Sequence, residues 1–146
     1  ITRSGLWNAG LDYGHGTGHG VGAFLNVHEG PQRISPVAHD VALQAGMVIS
    51  NEPGYYENNW GGIRLENLYL VKKVDKFPQH PGGKGWLCFE ELTLIPFDRT
   101  LIDKNLLSAE ELNWLYDYHG RVFSEISPML DNTEDFQWLT WACGID

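Results

Sequence analysis

Two glutamates carry the clearest chemistry in the sequence, Glu52 in the motif SNEPGYY and Glu66 in the motif GGIRLENLYLV. Both motifs have the β-branched and apolar residues typical of strands, and the turn-like segment ENNWG separates them. Each glutamate lies seven residues from Asn59, so a hairpin that turns at Asn59 makes the two side chains direct cross-strand neighbours, with Cβ atoms about 5 Å apart. Two carboxylates that close destabilise a sheet unless a proton or a cation lies between them, so the pair predicts a metal site.

Three histidines lie in or just after a glycine-rich motif, GHGTGHGVG. Five glycines at alternate positions would each cost a helix about 1 kcal/mol, which predicts an extended or looped segment. Alternation along an extended chain puts His15, Thr17 and His19 on one face and leaves glycines on the other, where a backbone or a ligand can approach closely. His28 follows His19 by nine positions, so it faces the same way only if the chain bends within residues 23–27.

These donors suit a hard divalent cation. Carboxylate oxygens and a single imidazole are ligands that fit manganese or a similar ion better than a thiolate-rich zinc site would. Arg64 shares the strand face of Glu66 and is placed to steady a carboxylate. Structural interpretations stay open: Glu52 can end a strand, a histidine between glycines can serve a turn, and an exposed Glu66–Arg64 pair would contribute little energy.

Several other site classes lack their defining residues. The helix motif of thermolysin-like peptidases needs a glutamate directly after its first histidine, whereas Gly16 follows His15. The stretch GHGVGA at 18–23 fits a relaxed dinucleotide-binding pattern, but no helical pattern follows it. A P-loop lysine is also missing.

Composition argues against nucleic acid and membrane surfaces as partners. Ten basic and nineteen acidic residues give a net charge of −9, which opposes binding to phosphate backbones or anionic lipid. No apolar run approaches the roughly 18 residues of a spanning helix, and the start of the chain lacks a secretory-signal pattern. Cys88 and Cys143 are too few for a disulfide framework, which fits a reducing compartment.

The site residues lie among predicted strands, and helices follow them. The predicted strands are residues 46–53 and 62–72, as an antiparallel pair, and residues 86–96. A capping box, SAEE, at Ser108 begins a helix that Pro128 ends, and Asn132 or Thr133 begins a short last helix. Residues 1–97 carry a net charge of −2 and residues 98–146 carry −7. We therefore divide residues 1–146 into a sheet half, 1–97, and a helical tail, 98–146.

Three long motifs together resemble one family. GHGTGHGVGAFLNVHEGP, NEPGYYENNWGGIRLENLYLV and FEELTLIPFD closely resemble the C-terminal part of the catalytic domain of Xaa-Pro aminopeptidases (aminopeptidase P), which are metallopeptidases of the pita-bread fold. The resemblance implies an α+β fold, the second half of a pita-bread, with an antiparallel sheet and C-terminal helices. The subgroup resembled is the large, three-domain, cytoplasmic type, whose chains pair as homodimers.

The resemblance also implies metal ligands. His19 and Glu52 match ligands of one metal ion, and Glu66 matches the carboxylate that bridges two ions. In the family a hydroxide held between two manganese ions attacks the carbonyl of the bond before proline. Glu52 matches the residue that acts as a base toward that water.

The remaining site residues match positions around the substrate, which is a peptide with proline in the second position. His15 resembles the histidine that lines the substrate pocket, and His28 resembles the one that contacts the peptide near the scissile bond and helps to move protons. Arg64 resembles the arginine that supports the metal carboxylates.

The chain departs from the family pattern in one respect. Two aspartate ligands that precede the HGTGHG motif in the family have no counterpart in this sequence, so we expect a site for one weakly held ion and no activity from these 146 residues alone. The alternative from another class is a non-catalytic pita-bread module that binds peptides or proteins. Such modules commonly lose the ligand residues.

Overall fold

The computed structural model describes residues 2–78, 80, 82–83 and 85–145, which form two compact units, Ile1–Thr93 and Leu94–Asp146. The first unit contains one short helix and seven antiparallel strands: α1 (Ser4–Asn8), β1 (Gly18–His19), β2 (Arg33–Ile34), β3 (Val48–Asn51), β4 (Gly54–Glu57), β5 (Gly61–Arg64), β6 (Asn67–Val74) and β7 (Trp86–Glu91). The second contains three 3₁₀ turns and two helices, α2 (Ala109–Ile126) and α3 (Thr133–Cys143). No helix in these residues is both long and apolar enough to cross a bilayer.

The predicted hairpin is confirmed, together with its register. β3 pairs with β6, and β4 pairs with β5. In both ladders the two residues of each pair are the same number of positions along the sequence from Asn59. The ladder is interrupted at residues 52–53 and 65–66, where a single backbone bond from Leu65 N–H to the Pro53 carbonyl, 3.2 Å, joins the two halves. The hairpin therefore has a break in its middle, and the two predicted ligand glutamates occupy it.

The turn of the hairpin explains the register. Asn59 has φ 64°, a left-handed conformation that asparagine adopts more readily than most residues. Trp60 N–H donates to the Glu57 carbonyl at 3.2 Å, which closes the turn. A tight turn at this one place sets the pairing of every residue along both arms.

The third strand is shorter than predicted. β7 ends at Glu91 rather than continuing to residue 96, although Leu92 N–H still donates to the Leu68 carbonyl at 2.8 Å. Its partner strand, β6, begins at Asn67, which the register places opposite Thr93, so β6 offers no partner to the chain beyond Thr93. Thr93 Oγ1 accepts the Leu68 N–H at 2.9 Å and ends the ladder.

The helical part of the second unit follows the sequence prediction. Ser108 and Glu111 form the capping box, α2 ends before Pro128, and Asn132 caps α3 through its side chain. The two helices share a core of Tyr118, Val122, Leu139 and Cys143. Tyr116 on α2 lies outside this core and is half exposed.

His119 on α2 makes the stability of the second unit pH-dependent. Its Nε2 accepts the Phe97 N–H at 3.0 Å, and its side chain is almost fully buried. Burial, with a smaller effect from the Arg99 charge, lowers the pKa of His119. The unfolded chain therefore takes up a proton from about pH 6.5 downward while the folded chain resists it, so stability is full above that pH and falls below it.

We expect the urea midpoint of unfolding to decrease as the pH is lowered from about 7.5 to about 5.5. The decrease should be smaller in His119→Gln than in the wild type. Glutamine can still accept the Phe97 N–H but does not titrate. Equal pH dependence in the two proteins would contradict this assignment.

Candidate metal centre

The break in the hairpin and the neighbouring strand β1 form a three-residue donor cluster. Backbone bonds hold β1 against β3, including Glu52 N–H to the Thr17 carbonyl at 2.7 Å. One ligand atom each from His19, Glu52 and Glu66 lies within 4.8 Å of the other two. Within the described part of the chain, no other group of three such side chains converges in this way.

The geometry of His19 fits a metal ligand. Its Nδ1 lies 2.8 Å from the Gly20 carbonyl, which can only accept, so Nδ1 carries a proton and, in the neutral imidazole, Nε2 has the lone pair that a metal ion requires. Nε2 lies 3.1 Å from Glu52 Oε1. Two ligand atoms each about 2.1 Å from one ion and at right angles to it lie about 3 Å apart, so this spacing suits a shared cation.

The buried side chain of Ser50 connects His19 and Glu52. Its hydroxyl accepts the His19 N–H at 3.0 Å and donates to Glu52 Oε1 at 3.1 Å, and its side chain is fully buried. Partners of this kind orient metal ligands in proteins. The sequence analysis missed Ser50, because a serine in an apolar strand carries no local signal of its role.

Arg64 lies beside the other oxygen of Glu52. Its Nη1 is 3.9 Å from Glu52 Oε2, and its Nε donates to the Tyr56 hydroxyl at 2.9 Å. The bond to Tyr56 is the main cause that raises the pKa of Arg64, with smaller effects from Glu52 and Glu66. Glu52 is 9% exposed, and a carboxylate so buried needs the nearby positive charge.

Tyr56 also holds His15, a contact that the sequence analysis missed. The His15 Nε2 lies 2.8 Å from the Tyr56 hydroxyl, and its Nδ1 lies 2.7 Å from the Gly16 carbonyl. A Cβ added at Gly54 or Gly62 would lie 2.5 or 2.4 Å from atoms of the Tyr56 side chain. These two strand glycines therefore make room for the aromatic ring, and glycines on two paired strands, with Gly62 directly opposite Tyr56, were the available signal.

The predicted bend before His28 is confirmed. Phe24 and Leu25 have φ 53° and 64°, an uncommon conformation for residues with side chains, and they lie within the predicted range 23–27. The bend brings the His28 ring to a centroid distance of 4.3 Å from the His19 ring. Both histidines thus face the same cavity.

The alternating glycines allow close backbone approach, as predicted. A Cβ at Gly18 would lie 2.0 Å from the Ser50 carbonyl oxygen, and one at Gly20 would lie 2.0 Å from the Glu29 carbonyl oxygen. The prediction for Thr17 is wrong, because its hydroxyl is buried 2.6 Å from the Tyr13 hydroxyl. Packing in the core, rather than strict alternation, decides the direction of that side chain.

Two cavities, of about 350 and about 480 Å³, adjoin the donor cluster. They share His19, His28, Glu52 and Arg64 as lining residues. The smaller also touches His15, and the larger also touches Glu66 and apolar side chains such as Val27. All six site residues predicted from the sequence therefore line one or both cavities.

Comparison with protein families shows which family the chain belongs to. Residues 1–73 match the model of metallopeptidase family M24, and residues 85–144 match the model of the C-terminal region of peptidase M24. The chain belongs to metallopeptidase family M24. Its antiparallel strands and C-terminal helices form the second half of the α+β pita-bread fold, as the motifs predicted.

Relatives of this M24 chain share about half of its residues. A probable Xaa-Pro aminopeptidase P of Coprinopsis cinerea is 52% identical over 140 residues, which are 94% of this chain and 22% of that protein. Aminopeptidase P2 of Arabidopsis thaliana is 51% identical over 140 residues, which are 95% of this chain and 20% of that protein. The chain spans about a fifth of the length of these relatives.

A solved structure supports the fold of this M24 chain. The X-prolyl aminopeptidase of Caenorhabditis elegans, described as a cytosolic enzyme with a di-nuclear active site, superposes with a TM-score of 0.85 and 42% identity. The match covers 97% of this chain and 23% of that one.

The donor set of this M24 chain fits a divalent cation. One imidazole and two carboxylates converge, and one of the carboxylates is buried. Oxygen-rich sets of this kind suit manganese or magnesium, and thiolate ligands are absent from the cluster.

Proposed function

We propose that this M24 chain contributes ligands and substrate-binding residues to an Xaa-Pro aminopeptidase, which hydrolyses the bond between an N-terminal residue and a following proline. The observation that carries the proposal is the convergence of His19, Glu52 and Glu66 within 4.8 Å, with two further histidines in the adjoining cavities. The names of the relatives and of the similar structure support this reaction.

In this proposal His19, Glu52 and Glu66 would help to hold two divalent ions, most simply manganese. Bound ions of this kind activate water at neutral pH and polarise the scissile carbonyl. Three donors are too few for two ions, since even a four-coordinate ion takes three or four protein ligands. The 146 residues alone are therefore expected to be inactive.

The protein groups have separate roles in the proposed reaction. Glu52 accepts the proton of the attacking water on its carboxylate, while Arg64, 3.9 Å from Oε2, places a positive charge beside that carboxylate. His28 binds the peptide near the scissile bond and transfers a proton toward the leaving amine. His15, which lines the smaller cavity, also binds the substrate.

The test compares two peptides on the protein at its full natural length, loaded with manganese. We expect cleavage of Arg-Pro-Pro after its first residue, no cleavage of Arg-Ala-Ala, and loss of cleavage after treatment with a chelator. In a parallel reaction the 146-residue chain with manganese should leave both peptides intact. The proposal would be overturned if the manganese-loaded full-length protein did not cleave Arg-Pro-Pro, or if it cleaved both peptides equally.

The proposal also covers the binding partners, the oligomeric state and the cellular location of the protein. We propose a cytoplasmic homodimer that binds neither nucleic acid nor membrane, consistent with the net charge of −9. Trp138 and Trp141 on α3 are 56% and 51% exposed, and exposed apolar patches commonly mark interfaces. The alternative of a non-catalytic binding module finds no support in the geometry, because all three ligand side chains converge.

A further inference from the structure

Arg3 lies outside both cavities but is directed toward a residue that lines one of them. It precedes α1 and is only 6% exposed. Its Nη1 donates to Asp12 Oδ1 and to the Tyr13 carbonyl, each at 2.6 Å, and its Nη2 donates to the His15 carbonyl. The guanidinium also lies over the Tyr13 ring, 3.9 Å from its centroid. One buried cation thus holds three residues of a four-residue stretch.

The positions next to His15 carry no side chains that could fix its backbone by packing. Gly14 and Gly16 flank His15, and a Cβ added at Gly14 would meet nothing within 4 Å. The hydrogen bonds from Arg3, together with the buried Tyr13 side chain, therefore fix the backbone at His15. The centroid of the His15 ring lies 4.7 Å from that of the Tyr13 ring. Arg3 therefore constrains both the backbone of His15 and the Tyr13 ring against which the imidazole packs.

The contacts are specific to arginine. A planar guanidinium can donate to several acceptors at once while it stacks on an aromatic ring, whereas a lysine ammonium is a single compact charge. Asp12 serves as the counter-charge: hydrogen bonds from Trp7, then from Tyr13 N–H and Arg3, lower the pKa of its carboxyl. Burial of the arginine is thereby compensated.

The metal ligands are held by other contacts. Gly20 and Ser50 orient His19, and Ser50 also contacts Glu52. We propose that Arg3 is a positioning residue for substrate binding: it fixes His15, and through it the peptide, without acting on the metal ligands. This inference rests on the proposed function, in which His15 binds substrate.

A double-mutant cycle on the manganese-loaded protein at its full natural length tests the proposal. We expect Arg3→Ala to lower kcat/KM for Arg-Pro-Pro by about 10- to 100-fold, the usual cost of a small misplacement, with most of the loss in KM. In a His15→Ala background the same change should cost about twofold or less, because the two residues act as a unit. Arg3→Lys should restore little, and metal content should stay at the wild-type value in every variant.

The control is Arg121→Ala, which removes an ion pair with Glu125 on α2 and should leave kcat/KM within about twofold of the wild type. Wild-type protein that ignores Arg-Pro-Pro would overturn the proposed function itself. Where the wild type is active, the inference about Arg3 fails if Arg3→Ala acts equally in both backgrounds, if His15→Ala has no effect, or if metal is lost. If Arg3→Ala does not fold, Arg3→Lys supplies the cycle, and unfolding of both variants would assign Arg3 a structural role instead.

Discussion

Replacing Glu66 by glutamine should nearly abolish the proposed peptidase activity. Glutamine keeps the shape of the side chain but removes the negative charge and one metal-binding oxygen. Changes to partners that merely orient a ligand already cost about 10- to 100-fold in affinity or activity, so loss of a ligand should lower kcat/KM for Arg-Pro-Pro by about a thousandfold or more. Metal content, measured after dialysis, should fall in parallel.

Glu57→Gln is the matched control for this change. Glu57 is an exposed carboxylate on the same hairpin, and its Oε2 accepts a bond from the Tyr55 hydroxyl at 3.0 Å. We expect its loss to leave metal content at the wild-type value and kcat/KM within about twofold of it. If Glu66→Gln keeps both its metal and its activity, Glu66 is not a ligand, and the cluster of three donors has been assigned wrongly.

The parts of the site that the sequence predicts are those that local geometry controls. The register of the long hairpin follows from one turn at Asn59, so the relation of Glu52 to Glu66 can be deduced before the fold is known. The bend before His28 follows from the odd spacing between His19 and His28 once both are required to face one cavity.

The parts that the sequence does not predict depend on contacts between distant segments. A hydrogen bond of Ser50 joins β3 to β1, and one of Tyr56 joins β4 to the His15 side chain. Arg3, which precedes α1, donates to the His15 carbonyl. No periodicity marks these residues, because each is placed by the packing of another segment. The end of β7 is predicted wrongly for the same reason: its residues are typical of a strand, but the partner strand β6 begins at Asn67, opposite residue 93, and offers no partner beyond that point.

Gly18→Ala should strongly destabilise the first unit, although it adds only a single methyl group. A Cβ at Gly18 would lie 2.0 Å from the Ser50 carbonyl oxygen, and a backbone atom cannot rotate away as a side chain can. β1 must then move off β3, at a cost of about 3 kcal/mol or more in the free energy of unfolding. The same displacement separates His19 from Ser50 and Glu52, so metal affinity should fall together with stability.

Gly14→Ala provides the comparison within the same glycine-rich motif. A Cβ at Gly14 meets nothing within 4 Å, so this variant should unfold at a urea concentration near that of the wild type and keep its metal. A clear difference between the two alanine variants would show that close approach of β1 to β3, rather than glycine content, builds the site. Equal midpoints would mean that β1 does not lie against Ser50, and the position of His19 beside Glu52 would then lose its structural basis.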